Sequence, residues 1–165
     1  MSEIRVGIVV GSESDLPVME RCAAVLDEYG LGHETAVMSA HRAPDLVRAY
    51  AQAARGRGLR VLIGAAGAAA HLPGVLASLT TLPVIGVPLA ATPLAGVDSL
   101  LSIVQMPPGI PVATVAVGDM GARNAAHLAA QIIAVSEPDV AATIDKIRAA
   151  MRERVRLPEG FSAGR

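Results

Sequence analysis

The 165-residue chain predicts an α/β fold, a parallel sheet with helices on both faces, and three observations predict it. Apolar runs of strand length alternate with segments of helical periodicity along the whole chain. Most of those runs are continuously apolar, as strands buried on both sides are. The composition is 52% hydrophobic but only 2% aromatic, so the core is built from Ala, Val, Leu, Ile and Met, which bury less area apiece than aromatics. The length fits one domain, residues 1–156 including a C-terminal helix, followed by a loosely held tail over residues 157–165.

The first strand is Ile4 to Val10, and the helix Asp15 to Tyr29 follows it, with Ser14 or Asp15 as its cap and Pro17 in its first turn. Cys22 shares a face of that helix with Val18, Met19, Val25, Leu26 and Tyr29, which makes the one cysteine a core residue with no disulfide and no thiol chemistry. A second strand near Glu34 to Met38 leads into the helix Pro44 to Arg55. Then come the strand Arg60 to Ile63, the helix Ala70 to Ser78, the strand Pro83 to Val87, the helix Val97 to Gln105 and a fifth strand, Ile110 to Val117. Two helices close the chain, Ala122 to Val135 and Glu137 to Arg154, divided by the capping sequence Ser136-Glu137-Pro138-Asp139. The second carries Val140, Ile144, Ile147 and Met151 as an apolar stripe, expected to be buried against another subunit.

A net charge of −1 offers no electrostatic footprint for a polyanion, and Tyr29, Tyr50 and Phe161 are the only aromatics on which a base could stack; nucleic-acid binding is disfavoured. There is no apolar run of membrane length, yet the mean hydropathy is +0.48, which predicts an oligomer whose apolar surface is shared between subunits. The amino terminus lacks a basic segment followed by an apolar stretch, which predicts a cytoplasmic protein.

Three strand ends carry ligand-type residues, and a parallel sheet brings them to one edge. Gly11-Ser12-Glu13-Ser14-Asp15 opens a helix with free N–H groups and hydroxyls suited to a phosphate, or is simply an N-cap. Met38-Ser39-Ala40-His41-Arg42-Ala43-Pro44 places an imidazole, able to move protons near neutral pH, beside a guanidinium able to hold an oxyanion, though the same residues also fit a hydrogen-bonded turn. In Gly64-Ala65-Ala66-Gly67-Ala68-Ala69-Ala70-His71 the missing side chains let a ligand approach the backbone, or let a helix pack closely. His33, His41, His71 and His127 are too widely spaced to read as a metal site, with His33 and His127 placed on the surface or at a subunit contact. Neither dinucleotide nor nucleoside-triphosphate fingerprints occur, and no GxSxG elbow is present.

Taken in order, GSESD at Gly11 to Asp15, SAHR at Ser39 to Arg42, GAAGAAAHLPG at Gly64 to Gly74, PVIGVP at Pro83 to Pro88, DSLLSIVQMP at Asp98 to Pro107 and PVATVAVG at Pro111 to Gly118 closely resemble the 5-(carboxyamino)imidazole ribonucleotide mutase family of bacterial purine biosynthesis. The resemblance runs from about Val6 to Ile133. It implies a three-layer αβα sandwich with a flavodoxin-like sheet, a homo-octamer, and transfer of a carboxylate from the exocyclic amine to carbon 4 of the imidazole without metal, ATP or organic cofactor. On matching positions it implies His41 as the proton carrier, Ser12, Ser39 and Arg42 on the phosphate, Asp15 on the ribose, and the loop Gly67 to His71, including Ala68, around the carboxylate.

The chain departs from the family pattern at Gly67-Ala68, where many members carry two glycines, and at Ala90-Ala91-Thr92. The first matters if position 68 needs a positive φ. A related branch that carboxylates the bare amine directly has SAHK in place of SAHR and lacks the AAHLPG ending. A non-catalytic sugar-phosphate sensor on the same fold would need Arg42 but not His41.

Overall fold

The computed structural model describes residues 3–156 and Pro158; the tail expected over residues 157–165 lies, Pro158 aside, outside the described residues. The elements are β1 (Ile4–Val10), α1 (Leu16–Glu28), β2 (Gly32–Val37), α2 (Pro44–Ala54), β3 (Val61–Gly67), α3 (Leu72–Leu79), β4 (Val84–Leu89), α4 (Val97–Val104), β5 (Ala113–Thr114), α5 (Asp119–Ala134) and α6 (Pro138–Glu153). Every strand pair is parallel and the order is β2-β1-β3-β4-β5. This is the flavodoxin-like arrangement that the resemblance implies.

The apolar runs separate two cores. On one face Val6, Ile8 and Val10 of β1 and Ile85 and Val87 of β4 pack against Cys22 and Leu26 of α1 and against α5. On the other, Val9 and Leu62 pack against Val47 and Ala51 of α2, Leu76 of α3 and Ile103 of α4. Because β1, β3 and β4 serve both cores, almost every residue in them is buried, whereas the edge strands β2 and β5 are only partly so. Ala122, Ala125, Ala126, Ala129 and Ala130 form the buried face of α5, and so small a face lets that helix lie close to the sheet and to α1. Cys22 is fully buried among these side chains, which pushes its thiol up to about 12 and leaves it unreactive.

Four local expectations are corrected. Strand β3 continues to Gly67, because Gly64, Ala65, Ala66 and Gly67 pair with Gly86 to Leu89 and are not loop. Strand β5 is regular for two residues only: Pro88 has no N–H to give it, and Val115 and Gly118 bond to Gly86 O and Pro88 O, so three residues are set against two. The sequence Ser136 to Asp139 makes no side-chain cap; the Glu137 carboxylate pairs instead with Arg5, and Ser136 Oγ accepts from Arg60 at 3.4 Å. Finally, the stripe on α6 needs no second subunit over most of its length. Val140 and Ile144 are buried within this chain, in the core that contains α5, Ile147 packs at its margin, and only Met151 is left exposed.

His127 of α5 is half-buried and not free on the surface, its Nδ1 2.7 Å from the Tyr29 hydroxyl at the end of α1. Burial holds its pKa below the usual 6.5, with the nearby Glu28 carboxylate opposing that shift and Arg148 reinforcing it. The unfolded chain therefore binds the proton more readily. The contribution of the neutral ring is complete above pH 6.5 and is lost as pH falls through the lower folded value. Denaturant unfolding between about pH 7.5 and 5 should show the parent losing more stability than His127→Gln, whose side chain cannot take up that proton. Equal pH dependence in the two would refute the assignment.

Candidate active site

The connections from β1 and β3 leave the sheet toward opposite faces, and a crevice opens at the carboxyl ends of the strands between them. A cleft of ≈ 260 Å³ lies there, lined among others by Ser12, Ser14, Asp15, Ser39, His41, Gly67, Ala68, His71 and Ala91. A larger cavity of ≈ 850 Å³, around Arg55, Thr81 and Ile110, contains neither histidine nor carboxylate. The chemistry is concentrated in the smaller cleft.

After β1 the chain makes a single 3-10 turn over Glu13–Asp15, capped by Ser12. Its Oγ accepts the Ser14 hydroxyl at 3.0 Å and the Ser14 N–H at 3.4 Å, so Ser12 does the capping expected of Ser14 or Asp15. That leaves the Asp15 carboxyl at the cleft without a cap bond. Burial raises its pKa, and hydrogen bonds with the Ser12 backbone and the Ser14 side chain pull back against the rise.

After β2, Ser39 accepts the Arg42 N–H at 3.3 Å on its Oγ, while its carbonyl accepts the Ala43 N–H at 2.9 Å, forming a tight turn before Pro44 starts α2. This turn presents His41 toward the cleft. Arg42 stands at the rim and is not part of the lining, with Nη2 donating to Gly11 O at 3.1 Å across the end of β1. One guanidinium donor is used there, which orients the others without consuming them.

After β3, the Ala70 N–H bonds to Gly67 O at 3.0 Å, and His71 follows as the first flanking residue of α3. Its Nδ1 is 2.6 Å from His41 Nε2, the rings edge to face at 79°. One nitrogen donates and the other accepts, so the contact holds a single proton. The two histidines come from loops after β2 and β3, strands separated by β1 in the sheet.

The small residues of this loop serve two purposes. A side chain on Gly64 would press on Pro73 and Leu76, so close helix packing is its reason. A side chain on Gly67 would collide with Ala91 and crowd Leu89 O at 3.3 Å, so this glycine sets the wall of the cleft. Ala68 has φ +54° and Ala70 φ +42°, the left-handed region that an L-residue enters at a cost of about 1–2 kcal/mol. Position 68 does need the positive φ on which its departure from the family pattern turned.

All eight residues singled out in the sequence meet at this edge, seven in the cleft lining and Arg42 at its rim. One lining residue, Ala91, was not anticipated as a contributor. Ala91 follows β4, which pairs with β3, and that adjacency was the signal available for it.

A parallel sheet opened at its switch point, with paired imidazoles and a guanidinium around a small polar cleft, defines an α/β enzyme built for a small anionic substrate. The AIR carboxylase family pattern matches residues 5–154, and the chain belongs to that family. It is 52% identical over 150 residues to an N5-carboxyaminoimidazole ribonucleotide mutase of Vibrio cholerae, covering 91% of this chain and 93% of that one. The protein of the same description from Pyrococcus abyssi is 53% identical over 148 residues, covering 90% and 84% respectively. Among solved structures, Treponema denticola PurE superposes with a TM-score of 0.82 at 26% identity, covering 90% of this chain and 92% of that chain.

The strain at Ala68 has a measurable sign. Ala68→Gly should stabilise the chain by about 0.5 kcal/mol, because relief of the left-handed alanine exceeds the ~0.4–1 kcal/mol that glycine adds to unfolded-state entropy. Ala69, whose φ is not positive, provides the control, and Ala69→Gly should destabilise by a similar amount. Urea midpoints that move the same way for both would contradict the assigned conformation.

Proposed function

We propose that this chain converts 5-(carboxyamino)imidazole ribonucleotide into 4-carboxy-5-aminoimidazole ribonucleotide, an intramolecular carboxylate transfer in purine biosynthesis. The observation that carries the reading is the 2.6 Å contact between His41 and His71 beside Arg42, in a chain about half identical to proteins of that description. Arg42, Ser12 and Ser39 hold the phosphate, as hydroxyls and a guanidinium at one strand edge are suited to do. Asp15 takes the ribose hydroxyls as a hydrogen-bond acceptor, and the Gly67 to His71 loop surrounds the carboxylate.

His41 gives a proton to the exocyclic nitrogen as the carbon–nitrogen bond breaks and carbon dioxide leaves. Carbon 4 of the ring then attacks that carbon dioxide, and the ring proton returns to His41, so the proton balance closes over one turnover. The hydrogen bond between His41 and His71 holds the His41 ring in its orientation. Retention of free carbon dioxide requires the loops to exclude water meanwhile.

An assembly of identical subunits, a homo-octamer, belongs to the same reading. In its support, the outer face of α4 exposes Val97, Leu101 and Val104, and Leu94 just before the helix is 62% exposed; so continuous an apolar strip suits a subunit contact. The family's biosynthetic role favours the cytoplasm, and among the described residues no helix is long and apolar enough to cross a membrane.

His41→Asn should leave a folded chain that still binds the nucleotide, while turnover falls by about 10²- to 10⁴-fold or more, since one group serves two proton transfers. Near-parental turnover would remove His41 from the chemistry. The choice of substrate is tested by labelling the carboxylate of the carboxyamino compound. Label should reach carbon 4 with little exchange against dissolved bicarbonate, with efficient turnover at low carbon dioxide and sluggish carboxylation of the bare amine. Complete washout of label, or preference for the bare amine, would make the chain a direct carboxylase instead.

A further inference from the structure

The wall of the cleft beside the loop that carries His71 is the segment after β4, and its construction points to two residues outside the site proper. Leu89 O accepts the Ala91 N–H at 3.1 Å and the hydroxyl of the buried Ser99 at 2.9 Å, tying the end of β4 to the first turn of α4. Thr92 Oγ1 then donates to Asp98 Oδ2 at 2.7 Å while accepting the Leu94 N–H at 3.1 Å, and Thr92 O accepts the Ala95 N–H at 3.0 Å. Between those ties the backbone passes through left-handed conformations at Ala95, φ +51°, and Gly96, φ +88°. The loop is thus strained at Ala95, and the hydroxyl–carboxylate bond from Thr92 to Asp98 is the side-chain tie that closes it. Ala91, the residue immediately before the tie, is the one whose side chain leaves no room for a Cβ on Gly67.

We propose that Thr92 and Asp98 are positioning residues: their hydrogen bond presses Ala91 against Gly67 and so fixes the loop of residues 67–70 that leads to His71. The consequence for turnover rests on the functional reading above; the mechanical coupling of the two loops does not. The Thr92 hydroxyl, with the backbone N–H of Ser99, also holds the Asp98 carboxyl below its ordinary pKa, as a bond to the charged form does. Asp98 Oδ1 is shielded from solvent and has no partner among the described residues, so the carboxylate relies chiefly on Thr92 for its side-chain contact. A hydrogen bond to a charged group is worth enough to shift a local opening equilibrium about tenfold or more.

Amide hydrogen exchange reads the coupling without any substrate. In Thr92→Val and in Asp98→Ala, exchange should quicken about tenfold over residues 89–96 and also over residues 67–70, with β1 unchanged, and Thr92→Ser should restore the parent pattern. Turnover of 5-(carboxyamino)imidazole ribonucleotide should fall about tenfold in kcat with a smaller change in KM, again recovered by Thr92→Ser. Loosening confined to residues 89–96, parental kcat in Thr92→Val, or a serine variant no better than valine would each overturn the proposal. If Thr92→Val quickens exchange at β1 as well, Thr92→Ala makes the same comparison without a methyl in the place of the hydroxyl. Should the parent chain fail to turn over this substrate, the functional reading falls, and the exchange pattern alone still decides the coupling.

Discussion

The position of β1 between β2 and β3 is the constraint on which the rest of the molecule depends. Val6, Ile8, Val9 and Val10 are fully buried, so both faces of this strand are committed to packing and its register with each neighbour is fixed in steps of two. The loops after β2 and β3 are thereby held one strand apart. Side chains as long as histidine reach across that gap, and His41 and His71 meet there. A slip of one residue in either ladder would exchange the residues that face the two cores, setting a side chain where Gly7 leaves room for Tyr50 and Leu59, and would separate the imidazoles at once, so stability of the sheet and geometry of the site are one requirement.

The absence of large aromatic side chains shapes how the layers are filled. With only Tyr29 and Tyr50 among the described aromatics, the helices come close to the sheet through alanine faces and glycines and do not stand off on bulky rings. Close approach brings backbone to backbone, which is what the cleft needs at Gly67 and Ala91. The exposed apolar side chains cluster on and just before α4, at Leu94, Val97, Leu101 and Val104, whereas α6 packs against α5 and leaves only Met151 of its stripe exposed. Hydropathy alone reported the excess of apolar surface but not its location.

Much of the fold was legible because a doubly buried strand reads as a short continuous apolar run, as at Ile4 to Val10, whereas a helix shows a spaced apolar face, as at Pro44 to Arg55. The place of the candidate site was legible where polar side chains mark it, Ser12, Asp15, Ser39, His41 and His71 in the lining and Arg42 at the rim. It was obscure where the backbone does. Gly64 to Gly67 resembles a loop because small residues have no periodicity of burial to display, yet these residues pair with β4. The irregular end of β5 depends on Pro88 in a neighbouring strand, a cause invisible within the β5 sequence. Ser136 to Asp139 satisfies the pattern of a cap, but Arg5, more than a hundred residues away, claims the Glu137 carboxylate.

Backbone strain follows the same edge of the sheet. Among the described residues Ala68, Ala70 and Ala95 are the non-glycine positions with positive φ, and all three lie in the loops after β3 and β4 that flank the cleft. Each costs about 1–2 kcal/mol relative to a relaxed alanine, so the surrounding contacts must over-determine these conformations. Those contacts are present: the turn from Gly67 to Ala70, the close fit of Gly67 on Ala91, and the Thr92 hydroxyl on Asp98. Glycine would relieve the strain but would also widen the range of loop conformations. Alanine, held in place by its neighbours, gives a narrower set. Under the reaction proposed above, in which the cleft holds a small, uncharged intermediate between two proton transfers, the narrower set is the physical advantage, and the strain is its cost.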